Sequence, residues 1–155
     1  MKKFVWDTSA ILNIKEPDAQ GYSPGSSLFK DLTDGWISGP YLNIFPAIAV
    51  FEVEATVSRW HREGKSALRE FYLVNEHAVI FSVEKDLINR SASLFTQSGF
   101  ASLRGADLIF ACIAYLEDAY LVTLDTHFDA VSGVVKVLNL NASRESPKYR
   151  DNFRK

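Results

Sequence analysis

Four carboxylates in the sequence could act together on one substrate. They are Asp7, Glu52, Asp107 and Asp125, which are separated by 45, 55 and 18 residues. Asp7 and Asp125 each follow an apolar segment with the composition of a strand, and Glu52 and Asp107 are each predicted to lie in the first turn of a helix. Ligands of open α/β sheets bind beyond the carboxyl ends of the strands. The four side chains could therefore converge at one end of a sheet.

Clustered carboxylates predict a particular chemistry. Negative charges within a few ångströms raise each other's pKa and destabilise the fold unless a cation neutralises them. The chain contains one cysteine and three histidines, so a Cys/His zinc site is not expected and any metal would be held by oxygen atoms. Mg²⁺ and Mn²⁺ accept carboxylate oxygens, bind phosphodiesters and activate water. The pattern therefore predicts metal-assisted phosphodiester hydrolysis.

Each acid also has an ordinary structural explanation when it is taken alone. Asp7 could cap the helix that follows it, Asp107 could interact with a helix dipole, and Asp125 could form an Asx-turn. Glu52 could be a solvated residue. The joint pattern favours a site, because two of the acids end apolar strands and a third leads into a very apolar helix, where uncompensated charge is costly.

The elements that must position these acids alternate between strand and helix. Strands are predicted at 3–6, 78–83, 119–124 and 134–140, and helices at 8–15, 27–36, about 50–64, 66–77, 84–97 and 107–116. The helix at 84–97 is predicted to stop near Gly99, and residues 16–27 are predicted to form a surface loop. Pro46 suits a strand edge or the start of a helix. This alternation predicts an α/β fold with a parallel sheet covered on both faces.

Length and charge limit the classes of protein that fit. A chain of 155 residues suits one domain, assigned here to 1–142, and residues 143–155 form a basic C-terminal tail with five basic and two acidic side chains. The formal charge of −2 argues against a broadly basic nucleic-acid-binding protein. The longest apolar run, Leu108 to Leu116, falls short of the roughly 18 residues that a membrane span needs. We therefore expect a cytoplasmic protein without a membrane segment.

The acids lie in segments that resemble a known family. In order along the chain, FVWDTSAIL (4–12), AVFEVEA (49–55), RGADLIFACIAY (104–115) and LVTLDTHF (121–128) resemble the four acidic motifs of PIN-domain nucleases. More narrowly, they resemble the VapC-type toxins of prokaryotic toxin–antitoxin pairs. The resemblance spans about residues 3–140 and implies a PIN-like three-layer fold, in which helices flank a central twisted, mainly parallel sheet. The activity that it implies is a Mg²⁺- or Mn²⁺-dependent endoribonuclease.

The same resemblance assigns roles to individual residues. The four acids inherit the catalytic and metal-binding positions, the first and third as the firmest ligands and the second and fourth as ligands of a second ion or as groups that orient the attacking water. Ser9 matches a small hydroxyl residue that supports the first acid, and Thr123 matches the hydroxyl residue that leads into the last one. The implied partners are an RNA substrate, an antitoxin protein and a second copy of the chain in a homodimer.

Several details stay open at this point. Glu54 competes with Glu52, although Glu52 has the family's spacing from the preceding apolar run. The 16–27 segment lacks the histidine that many relatives carry soon after the first motif, which bears on the substrate more than on the chemistry. His127 is expected to be a surface residue outside the metal shell, and Cys112 a packing residue.

A basic stripe is a second candidate feature for binding RNA. Its members, if Gly64 does not break their helix, share one helical face: Arg59, Arg62, Lys65 and Arg69. A solvated outer face paired with Glu63 and Glu70 is the simpler explanation. Two other functions also remain open, namely an RNA-processing or flap nuclease without an antitoxin, and a non-catalytic PIN-like interaction module whose acids only cap helices.

Overall fold

The computed structural model describes residues 1–16, 23–65, 77–141 and 153. Within these ranges the strands are β1 (Lys2–Trp6), β2 (Tyr41–Pro46), β3 (Ala78–Phe81), β4 (Tyr120–Thr123) and β5 (Lys136–Asn139). The helices are α1 (Thr8–Lys15), α2 (Pro24–Thr33), α3 (Ala47–Arg62), α4 (Lys85–Ser91), α5 (Ser98–Ser102) and α6 (Gly105–Leu116). Short 3₁₀ segments cover Ala92–Leu94 and Thr126–Val131. No helix in the described part of the chain is both long and apolar enough to cross a membrane.

The five strands form one parallel sheet with β1 at its centre. The strand order is β3-β2-β1-β4-β5, and Val5 of β1 lies opposite Ile44 of β2 and Leu121 of β4. The chain first builds outward from β1 through β2 and β3, then crosses to the other side of β1 to form β4 and β5. Right-handed crossovers in opposite directions place helices on opposite faces of the sheet. The predicted α/β, PIN-like three-layer fold is confirmed, with every strand pair parallel.

The centre of the sheet is apolar enough to be buried on both faces. Phe4, Val5 and Trp6 of β1 and Leu121 and Val122 of β4 are fully buried. Uninterrupted apolar runs of this kind are typical of parallel strands that are covered by helices on both sides. Because β1 and β4 are neighbours at the point where the strand order reverses, the residues after them face the crevice where open sheets bind ligands.

The third helix begins earlier than the sequence predicts. Pro46 ends β2 and directly precedes Ala47, the first residue of α3. Proline has no N–H group for a sheet hydrogen bond, and its fixed φ suits the start of a helix. Glu52 is therefore the sixth residue of α3, and its predicted place in the first turn is wrong.

Two further boundaries differ from their predictions. The helix at 84–97 is interrupted after Ser91, and Gly99 lies inside α5 instead of stopping a helix. A Cβ atom on Gly99 would lie 2.1 Å from the carbonyl oxygen of Ala130, so glycine is needed there because two backbones approach closely. At 16–27 the predicted loop is shorter, since Pro24 begins α2.

Parts of the predicted organisation lie outside the described residues. These are residues 17–22 of the loop, the predicted helix at 66–77 except His77, and the tail at 143–155 except Phe153. The ring of Phe153 lies 5.9 Å from that of Phe4 and 5.3 Å from that of Tyr120, measured between centroids. Tyr120 is the first residue of β4, so Phe153 lies away from the end of that strand where Asp125 follows. The division at residue 142 stays a prediction.

Candidate active site

Asp7 is the buried centre of the candidate site. It follows β1, caps the N-terminus of α1 and is only 3% exposed. Its Oδ1 accepts hydrogen bonds from the Ser9 hydroxyl at 2.8 Å and the Ala10 N–H at 2.7 Å, and its Oδ2 accepts one from the Thr123 hydroxyl at 2.5 Å. Asp7 thus caps α1 and also belongs to the candidate site. These three hydrogen bonds, including the one from Thr123, leave the carboxylate of Asp7 little freedom to rotate.

Two hydroxyl groups tie Asp7 to the loop that follows β4. Thr123 donates to Asp7 and accepts from the N–H of Asp125 at 2.8 Å, while Ser9 donates to Asp7 and accepts from the N–H of Leu124 at 3.2 Å. A hydroxyl can donate and accept at once, which suits it to such a bridge. The two residues that the sequence predicts as supports of the acids therefore contact Asp7 and fix the path of the chain toward Asp125.

Burial dominates the electrostatics of Asp7. Desolvation raises its pKa from the ordinary value of 3.8 to about 6, although the hydrogen bonds from Thr123, Ala10 and Ser9 lower it and the negative charge of Asp107 raises it further. A carboxylate that is costly to ionise and has a second acid nearby would be stabilised by a cation.

Glu52 reaches the site from α3 and is oriented by a threonine. The hydroxyl of Thr8 donates to Glu52 Oε2 at 2.9 Å. The negative charge of Glu52 also raises the pKa of Asp107, which places it near the acids that follow the sheet. Glu54 is not among the charges that act on Asp107. The structure thus favours Glu52 over Glu54. Thr8 is not among the residues predicted from the sequence, although its position directly after Asp7 could have indicated it.

Asp107 interacts electrostatically with each of the other three acids. It lies in the first turn of α6, as predicted, and its side chain is 37% exposed. Desolvation raises its pKa first, the charges of Asp125 and Glu52 raise it further, and His127 lowers it. Since Asp107 also raises the pKa of Asp7, all four acids belong to one electrostatic group.

Asp125 and His127 form the outer edge of this group. Asp125 Oδ1 accepts from the N–H of His127 at 2.9 Å, which is the Asx-turn expected of it, and Asn139 donates to the Asp125 carbonyl at 3.1 Å. His127 Nδ1 lies 3.3 Å from Asp125 Oδ1 and 3.7 Å from Asp107 Oδ2. His127 is a surface residue, as predicted, with 69% of its side chain exposed, yet it also contacts two of the acids.

The acids share an electrostatic environment without forming a closed ligand shell. In the ranges that the structure describes, no group of three or more His, Cys, Asp or Glu side chains is close enough to hold a metal ion. Mg²⁺ is commonly bound by only one or two carboxylates together with water molecules. The oxygen-only donors and the raised pKa values of Asp7 and Asp107, which desolvation and neighbouring acids cause, therefore fit a hard divalent cation.

A comparison with protein families decides what kind of domain carries this site. The family model described as PIN domain matches residues 4–134, which include all four acids. The chain belongs to the PIN-domain family. Among solved structures, it is similar to VapBC2 from Rickettsia felis bound to a DNA fragment from their promoter, with a TM-score of 0.62 and 17% identity over 88% of this chain and 98% of that one. This similarity supports the fold. No curated protein matches the sequence significantly.

The basic stripe of the PIN domain is shorter than its prediction. Gly64 has φ +70°, a left-handed conformation, and α3 ends at Arg62. Lys65 therefore lies beyond the helix, where it pairs with Glu63 at 2.6 Å, as the simpler explanation expects. Arg69 lies outside the described residues. The condition for one shared helical face, that Gly64 does not break the helix, is therefore not met. Binding of RNA by these side chains stays a prediction. Cys112 is buried in α6.

The raised pKa of Asp7 predicts how the stability of the metal-free PIN domain depends on pH. Between about 3.8 and 6 the folded state holds a proton that the unfolded chain has lost, so the free energy of unfolding falls as pH rises through this window. The loss is up to about 3 kcal/mol. Urea unfolding in a chelator at pH 4 to 7 measures it. Asp7→Asn should remove this component, and an unchanged pH dependence in that variant would contradict the assignment.

Proposed function

We propose that this PIN domain is an endoribonuclease that depends on Mg²⁺ or Mn²⁺ and acts as the toxin of a toxin–antitoxin pair. PIN domains are nucleases, and family membership supports hydrolysis of a phosphodiester bond. The observation that carries the proposal is the buried Asp7 carboxylate, fixed by Ser9 and Thr123 within the electrostatic reach of Asp107. A scaffold needs a helix cap at this position, but it does not need three further acids around it.

The four acids would have different roles in binding the cation and the attacking water. Asp7 and Asp107 would be the principal ligands, with Asp125 and Glu52 beside them. When bound, the cation would neutralise these carboxylates, polarise a phosphate oxygen and lower the pKa of the attacking water. Thr8 holds one oxygen of Glu52, so the other oxygen can accept a proton from that water or help to orient it. The expected products carry a 5′-phosphate and a 3′-hydroxyl.

The choice between the two glutamates of α3 provides a matched test. Glu52→Gln should lower kcat/KM for RNA by at least about a hundredfold, because it removes a charge from the acidic group. Glu54→Gln should change it by less than about twofold. Both substitutions preserve size and lie two residues apart on α3, so they control for general effects on that helix. Equal losses in the two variants would contradict the assignment of Glu52.

The substrate and the partner can be tested separately. Initial rates on single-stranded RNA, single-stranded DNA and a flap duplex should favour the RNA, whereas preference for the flap would indicate the DNA-processing alternative. The similar solved structure is VapBC2 from Rickettsia felis bound to a DNA fragment from their promoter, which supports an antitoxin as partner here. We expect a small antitoxin gene beside this one, whose product inhibits cleavage at a stoichiometric ratio. We also expect a homodimer, which light scattering after size exclusion would measure.

A further inference from the structure

A cleft beside the acids is lined by a positively charged side chain, Arg104, that the site described above does not use. The cleft has a volume of about 340 Å³ and is lined by Ser102, Leu103, Arg104, Asp107 and His127. Asp107 is shared between the cleft and the acidic group, so a ligand in the cleft would lie directly beside the proposed reaction centre. The volume is at the lower end of small-ligand sites, which suits one phosphate and part of a sugar.

Arg104 is held on the wall of this cleft. It is the N-cap residue of α6, three residues before Asp107, and Gly105 between them has φ +53°. Arg104 Nη1 donates to the carbonyl oxygens of Ala101 and Leu103, which fixes one edge of the guanidinium group. A guanidinium group has five N–H donors. Among the described residues no acceptor takes a hydrogen bond from its Nε or Nη2, so these donors are available to a ligand.

His127 forms another wall of the cleft. Its Nδ1 lies near Asp107 and Asp125, as described above, and Nε2 is the second nitrogen of the imidazole ring. The ring is largely exposed, so Nε2 can reach a ligand. Arg104 and His127 therefore both line the cleft together with Asp107.

The chemistry of these groups selects the ligand. Arginine presents a planar set of donors that matches the oxygens of a phosphate. The chain has a formal charge of −2, and the acids repel an anion, so an RNA strand needs a local cation to lie across them. We infer that Arg104, with His127 lining the same cleft, binds a backbone phosphate of the RNA next to the cleaved one and so positions the strand over the acids. This inference rests on the proposed ribonuclease function.

The dependence of RNA binding on salt tests this positioning role. The affinity of the cleavage-deficient Asp7→Asn protein for a fluorescent single-stranded RNA is measured over a range of KCl concentrations with Mg²⁺ present. Adding Arg104→Gln should weaken binding about fivefold to tenfold at low salt. It should also reduce the slope of log K against log salt by about 0.7, the value for one lost phosphate contact on a single strand. Arg104→Lys should restore most of the slope, because it retains the charge.

Arg90→Gln is the matched control. Arg90 lies on α4 and pairs with Glu117 just beyond the C-terminus of α6, the opposite end of that helix from Arg104. It should leave the slope unchanged. In the otherwise unchanged enzyme, Arg104→Gln should raise KM more than it lowers kcat, and its Tm should stay close to that of the parent.

The outcomes separate this inference from the function on which it rests. An unchanged slope in Arg104→Gln, in a protein that binds and cleaves RNA, overturns the phosphate site and leaves the ribonuclease proposal standing. Equal reductions in Arg104→Gln and Arg90→Gln also overturn it, because they indicate a general charge effect. Failure of the unmodified protein to bind or cleave RNA overturns both proposals.

Discussion

Replacing Asp7 with asparagine is expected to lower kcat/KM for RNA cleavage by at least about a thousandfold, since loss of the proposed principal metal ligand would remove several kcal/mol of transition-state stabilisation. The fold should survive this change. Asparagine is as good an N-cap residue as aspartate, so its Oδ1 can accept from Ala10 and Ser9. The Thr123 hydroxyl can rotate to accept from the new amide. Cleavage of a labelled RNA at saturating Mg²⁺ measures the loss.

The same experiment needs a control for the loss of a negative charge elsewhere. Asp118→Asn serves this purpose, because Asp118 is an exposed residue that pairs with Lys136 and has φ 49°, a conformation that asparagine tolerates. Its activity should equal that of the unmodified protein. Full activity in Asp7→Asn, or an equal loss in Asp118→Asn, would contradict a catalytic role for Asp7.

Divalent metal is expected to raise the Tm of the protein by about 5 to 10 °C. A ligand at a hundred times its Kd adds about 2.7 kcal/mol to the free energy of unfolding, and each kcal/mol shifts the Tm of a chain of this size by about 2 to 4 °C. Here the stabilisation arises because the cation relieves the repulsion among the acids and the cost of burying Asp7 in its charged form. Differential scanning fluorimetry with Mg²⁺ or Mn²⁺, at constant ionic strength, measures the shift.

Asp107→Asn should remove most of this shift, because Asp107 couples to each of the other three acids. The effect should also weaken below about pH 6, where a proton competes for the Asp7 carboxylate. The non-catalytic interaction module makes the opposite prediction. If its acids only cap helices, metal leaves the Tm unchanged, or shifts it equally in Asp107→Asn and the unmodified protein. Cleavage that persists after thorough chelation would also contradict the proposed chemistry.

Local sequence was enough to determine the class of fold and the candidate acids. Apolar segments of strand length alternate with amphipathic ones, and this pattern alone specifies a parallel sheet between helices. Asp7 and Asp125 could be found because they directly follow such segments, and Asp107 because it leads into one of the least polar helices. Their order along the chain carried the family resemblance, which the family match from 4 to 134 confirmed.

Only the tertiary structure decided which side chains meet. Thr123 reaches Asp7 across 116 positions because β1 and β4 pair in one particular register, and a one-residue shift would turn these side chains to other faces. Contact with Thr8 separates Glu52 from Glu54, and the close approach of α5 to Ala130 in the 3₁₀ segment after β4 explains Gly99. Arg104 and His127 likewise line one cleft only because separate elements pack together. Periodicity describes neighbours within an element, whereas these contacts depend on how separate elements pack.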